Sequence, residues 1–234
     1  GIPIATLELK NAMTGQGTDD AIEQYRTARD PKNPLLRRAV VHFAVDDSEV
    51  RMCTKLEGKA SWFLPLNKGH NDGAGNPPNP DGMKTDYLWK QVLTRESLAN
   101  IIESYAQVVE EEEADASGKK RKKRKQIFPR FHQLRTVRAL LCRAHTDGVG
   151  KRYLIQHSAG SGKSNTIAWL AHQLVELKTS ADAMQAQFDS VIVITDRRMS
   201  RSQLAIPALL ALSALPLRPV PQELKGERAR ASLL

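Results

Sequence analysis

Apolar and polar residues alternate along the first half of the chain in short blocks, and each block predicts an element. Residues 4–9 (IATLEL) read as a strand that delivers Glu8 and, just past its end, Lys10. The segment TGQGTDDAIEQYRTARD predicts a turn and then a helix, with Thr18 or Asp19 as its N-cap. RAVVHFAVDDSEVRMCTKL alternates on both sides of Asp46-Asp47-Ser48 and predicts a β-hairpin. Residues 67–82 (NKGHNDGAGNPPNPDG) offer no periodic apolar face and predict a loop. From Glu96 to about Glu112, Ile101, Ile102, Tyr105, Val108 and Val109 share one face of a predicted helix.

An acidic run, Glu110–Glu113, then meets the basic run Lys119–Lys125 across a short Ala-Asp-Ala-Ser-Gly segment. Runs of like charge resist packing, so 110–126 reads as a solvated tether and domain boundary, with a nucleic-acid arm as the alternative. Beyond it the pattern changes. IFPRFHQLRTVRALLCRA predicts a loop entering a helix, RYLIQ a short strand, and NTIAWLAHQLVEL a helix with Ile167, Leu170, Ala171, Leu174 and Leu177 on one face. Val191–Ile194 is an unbroken β-branched run suited to a strand buried on both faces. Strand, helix and strand in that order predict a βαβ unit and a parallel sheet.

Composition narrows this picture only a little. The chain of 234 residues is 41% hydrophobic and 26% charged, which suits folded domains rather than a disordered chain. Its formal net charge is +9, but Lys119–Lys125 alone contributes seven positive charges. The excess is one cluster rather than a basic face. Cys53 and Cys142 cannot build a disulfide framework, and the six histidines lack metal-ligand spacing. With no signal-peptide pattern and no bilayer-length apolar run, a cytoplasmic location away from membranes is expected.

HSAGSGKSN lies between the predicted strand RYLIQ and the helix that follows, where a phosphate-binding loop belongs. Gly160 and Gly162 permit left-handed backbone angles, so successive N–H groups, including that of Ser161, can point at phosphate oxygens. The helix N-terminus adds partial positive charge. Lys163 would reach the terminal phosphates of ATP and Ser164 would hold Mg²⁺. The strict pattern has Gly where this chain has His157. Upstream, Gln133 carries the paired donor and acceptor that match the edge of adenine. Asp196, at the end of the β-branched run, is a weaker candidate for the Mg²⁺ carboxylate because Arg197 follows it.

Several long phrases resemble the restriction (R) subunit of type I restriction–modification enzymes: LELKN, RRAVVHFAVDDSEVRMCTKL, FLPLNKG, GAGNPPNP, YLWKQVL, FPRFHQLRTVRALL, GKRYLIQHSAGSGKSNTIAWLAHQL and VIVITDRR. The resemblance runs over residues 1–204. It implies an α/β chain: a partial endonuclease domain of the PD-(D/E)xK type with its connection at 1–109, the tether at 110–126, and the first part of an incomplete RecA-like, parallel-sheet P-loop lobe at 127–204. It further implies ATP-driven movement of double-stranded DNA, Mg²⁺-dependent cleavage, and assembly with methyltransferase and specificity subunits. Glu8 then becomes a metal-binding carboxylate, and Lys10 steadies the attacking water or the charge developing on phosphate. Gln24 stands where such nucleases keep a Gln-x-x-x-Tyr pair, although the fourth residue on is Ala28, with Tyr25 adjacent to the glutamine.

An acidic residue expected upstream of Glu8 is missing from residues 1–7, so the strand reads as the second half of a nuclease site and no cleavage is expected of this chain alone. Residues 205–234, rich in Ala, Leu, Arg and Pro, lose the resemblance and read as an atypical tail of the kind a shifted reading frame produces. Two other readings stand beside this one. One is a small P-loop ATPase or kinase built on 127–234. The other is a non-enzymatic remnant that docks on the methyltransferase complex.

Overall fold

The computed structural model of the chain describes residues 3–114, 120–179 and 184–194. The chain divides into two compact units, Gly1–Leu134 and Arg135–Leu234.

The first unit is built on a four-stranded mixed sheet. Strand β1 (Ala5–Leu9) leads through helices α1 (Thr18–Thr27) and α2 (Pro34–Arg38) to β2 (Val41–Val45), which pairs parallel to β1. Strands β3 (Val50–Cys53) and β4 (Leu64–Pro65) follow in antiparallel register, giving the order β1-β2-β3-β4. All five residues of β2 are buried, as expected of an interior strand covered on both faces. On one face Ala21, Ile22 and Tyr25 of α1 pack with Ala44, Cys53, Leu56 and Phe63. On the other, Phe43 meets Phe128 edge-on with centroids 6.0 Å apart. The predicted strand, helix and hairpin are all present.

The start of α1 departs from expectation in an informative way. Its N-cap is Gly17, not Thr18 or Asp19. Gly17 has no side chain to cap with, so the helix end is satisfied from elsewhere. Asp20 Oδ2 accepts from Gly17 N at 2.8 Å, and Asp46 Oδ2 accepts from Thr18 N at 2.9 Å. The other oxygen of Asp46 accepts from Ser48 N and Glu49 N at 2.7 and 2.8 Å. One carboxylate therefore closes the β2–β3 turn and anchors α1. The space is tight, since a Cβ on Gly17 would lie 3.2 Å from Asp46 Oδ2.

Helix α3 (Arg95–Ser104) is shorter than its apolar periodicity predicts, because β5 (Gln107–Ala114) begins soon after. β5 pairs antiparallel with β6 (Lys120–Ile127), in a register that sets Glu110 opposite Arg124, Glu111 opposite Lys123, Glu112 opposite Lys122 and Glu113 opposite Arg121. The run expected to stay an unpaired tether thus forms a hairpin. In a helix the four glutamates would repel one another at close spacing; the antiparallel register instead sets each opposite a basic residue. Arg124 reaches Glu110 at 3.2 Å, and Gln126 Nε2 ties the hairpin to the sheet by donating to Val40 O at 2.6 Å.

In the second unit, residues 135–147 complete helix α4 (Phe131–Asp147), and α5 spans Lys163–Glu176. Residues 151–158 and 190–194 form no strand, so the predicted βαβ unit and parallel sheet are absent among the described residues. A strand exists only through its neighbours' hydrogen bonds, and neither segment pairs with the other; Leu154 and Ile192 are exposed. Burial on α5 centres on Thr166, Trp169 and Ala171, whereas Ile167, expected in the core, is exposed. Asp196 and the tail lie outside the described residues.

Candidate functional site

The alternation of β1 sends Thr6, Glu8 and Lys10 to one side of the strand, toward α1. Lys10 Nζ donates to Gln24 Oε1 at 2.7 Å, so two of the residues named from sequence are in direct contact. Glu8 is held differently. Arg29, one residue past the α1 C-cap Ala28, donates Nε to Glu8 Oε1 at 2.6 Å, and its Nη2 lies 2.5 Å from the same oxygen in the ion pair. Arg29 was not among the residues singled out from sequence. It belongs to no motif, and only its position five residues after Gln24 brings it back over β1.

Behind this charged row lies a buried polar chain. Thr6 Oγ1 lies 2.9 Å from Tyr25 Oη and 2.7 Å from His42 Nδ1. Tyr25 also packs edge-on against the His42 ring, with centroids 5.8 Å apart. Burial pushes the Tyr25 phenol up to about 12, with the Glu8 charge adding to the effect and the Thr6 hydrogen bond opposing it. Burial alone pushes the His42 imidazole down to about 4. Both groups are therefore neutral near pH 7, and they fix the height of α1 over β1 without adding charge. Tyr25 thus buttresses the helix from within the core; it does not stand free at the position of the missing Gln-x-x-x-Tyr tyrosine.

The donor set does not suit Mg²⁺ as it stands. A divalent cation of this kind takes several oxygen ligands. Glu8 Oε1 is already engaged by Arg29. Both oxygens of Asp46 are committed to backbone N–H groups. No group of three or more His, Cys, Asp or Glu residues that could hold a metal exists among the described residues.

The glycine-rich segment of the second unit turns directly into α5. Gly160 and Gly162 have φ of +71° and +81°, left-handed values that fit the expectation for these two positions. Gly162 is the N-cap of α5, and Ser161 is buried. Lys163 Nζ turns back to donate to His157 O at 3.0 Å and Ser158 O at 2.9 Å. The ammonium thus lies over the loop's own carbonyls, while half-buried Ser164 is the second residue of α5. The helix expected after the glycine-rich segment is present, but the strand expected before it is absent among the described residues. Gln133 is buried, and its Oε1 accepts from Arg130 N at 2.9 Å, half of a capping box at the start of α4. That acceptor is committed to the helix end, a role sequence reasoning did not assign to it.

No curated protein and no solved structure matches the chain. One family model does, and it covers the segment that holds Glu8, Lys10, Gln24 and Arg29: residues 1–61 match the family described as Type I restriction enzyme R protein N terminus.

Proposed function

We propose that the first unit is the nuclease-type region of a type I restriction enzyme R protein, with Glu8, Lys10 and Gln24 as its DNA-cleavage residues, and that the loop at 157–164 binds the phosphates of ATP. The observation that carries this reading is the Lys10–Gln24 contact at 2.7 Å, with Glu8 two residues away on the same strand side, all inside residues 1–61. Lys10, drawn in by Gln24, can neutralise charge building on a phosphate under attack. Mg²⁺ would supply the activated water in such a reaction, but one carboxylate already paired with Arg29 is too poor a ligand set to hold it. The chain is accordingly read as catalytically impaired. DNA and the methyltransferase and specificity subunits are its proposed partners.

The nucleotide half rests on Gly160, Gly162 and Lys163 at the N-terminus of α5. Titration of the full chain with a fluorescent ATP analogue tests it. Binding should weaken about tenfold or more in Lys163→Ala, without phosphate release. Absent binding, or binding indifferent to Lys163, removes the ATP assignment; phosphate release that Lys163→Ala abolishes removes the impairment. Plasmid nicking with Mg²⁺ tests the other half, and nicking that depends on Lys10 would show a competent metal site.

A further inference from the structure

The Glu8–Arg29 pair is more than a decoration of the nuclease-type face. We propose that Arg29 is a phosphate-holding residue for DNA and that Glu8 keeps it sequestered while no nucleic acid is bound. This rests on the reading of the β1–α1 face as a DNA-handling surface, but not on any divalent cation.

Three observations support it. First, both cations of the face are tied to one residue. Gln24 accepts from Lys10 Nζ through its side chain, and its backbone carbonyl accepts from Arg29 N at 3.1 Å as well as from Ala28 N at 2.9 Å. Lys10 and Arg29 are thereby set along one row with Glu8, whose three charges sum to +1. Second, Arg29 donates Nε to Glu8 Oε1 and its Nη2 lies beside the same oxygen, so the guanidinium engages one carboxylate oxygen rather than two. A guanidinium has five donors in a fork that fits the two oxygens of a carboxylate or phosphate side by side. The pair therefore falls short of the best geometry either partner can reach. Third, the Arg29 side chain is 41% exposed while that of Glu8 is 16% exposed, so the guanidinium is reachable from solvent. Solvent screens the Arg29 side of the pair, so a phosphodiester can compete with the carboxylate for the guanidinium.

A double-mutant cycle on DNA affinity tests this, using the full chain, a fluorescein-labelled duplex oligonucleotide and EDTA to remove divalent cations. Gln is close in size to Glu and reaches part of the space of Arg, and circular dichroism of each variant checks the fold. Arg29→Gln should weaken binding about fivefold and lower the salt slope by about one unit. Glu8→Gln should tighten binding about fivefold when Arg29 is present and leave it nearly unchanged in the Arg29→Gln background. Arg29→Lys, which keeps the charge and loses the fork, should fall between. An equal gain from Glu8→Gln in both backgrounds means Glu8 acts only as a nearby negative charge, and it overturns the sequestration. If Lys10→Ala and Arg29→Gln both leave affinity unchanged, or the duplex does not bind, the DNA reading of the face itself is wrong.

Discussion

Acid should loosen the β1–α1 packing through a single residue, His42. Its imidazole is 2% exposed, bonded through Nδ1 to Thr6, and its pKa is pushed from 6.5 to about 4 by burial. The sign follows from which state takes up the proton first. The unfolded chain protonates near 6.5 and the folded chain only near 4, so stability is complete above 6.5 and is lost as the pH falls between these values. At about pH 5 the unfolded histidine is almost fully charged while about a tenth of the folded population is, a difference of about 2 kcal/mol in stability relative to pH 7.5. The assay is urea unfolding at both pH values, followed at the amide resonances of β2, for wild type and His42→Gln. The variant should show about 2 kcal/mol less acid destabilisation than wild type. If both proteins lose the same stability between the two pH values, His42 does not titrate as its burial requires, and the reasoning is refuted.

Two further outcomes follow from named contacts. Asp46→Ala removes the acceptor shared by Thr18 N, Ser48 N and Glu49 N and should cost about 2–3 kcal/mol in urea unfolding, whereas Asp47→Ala should change little; equal effects would contradict the capping role. Glu110→Lys places like charges opposite each other at Arg124 and should speed amide exchange in β5 and β6, while raised salt should narrow the gap from wild type; unchanged exchange would mean that charge does not hold the hairpin.

Much of the first unit was legible because its signals are local. The strand that carries Glu8, the helix after Gly17 and the hairpin around Asp46 each carry their own periodicity and turn residues. What stayed hidden depends on partners distant in sequence. The acidic and basic runs look unable to pack when each is judged alone, and only their mutual register makes a ladder of them. Asp46 reads as a turn residue, and its second role at Thr18 N needs the sheet to bring the two together. Arg29 carries no pattern at all. In the second unit the β-branched run Val191–Ile194 has the composition of a buried strand but no described neighbour to pair with. Propensity cannot supply the missing ladder. Gln133 has a role of the opposite kind, a side chain whose oxygen closes a helix end through a local contact that its base-edge chemistry does not reveal.

The row that we propose faces phosphate joins Glu8 and Lys10 from the β1 side to Gln24 on α1 and Arg29 just past it. Titrating the isotope-labelled full chain with a short DNA duplex, and following backbone amides by NMR, tests it most directly, because the basic strand β6 is a ready competitor for the same ligand. The largest shifts should fall at residues 8–10 and 24–29. Shifts confined to the hairpin at 107–127 or to the second unit would contradict it.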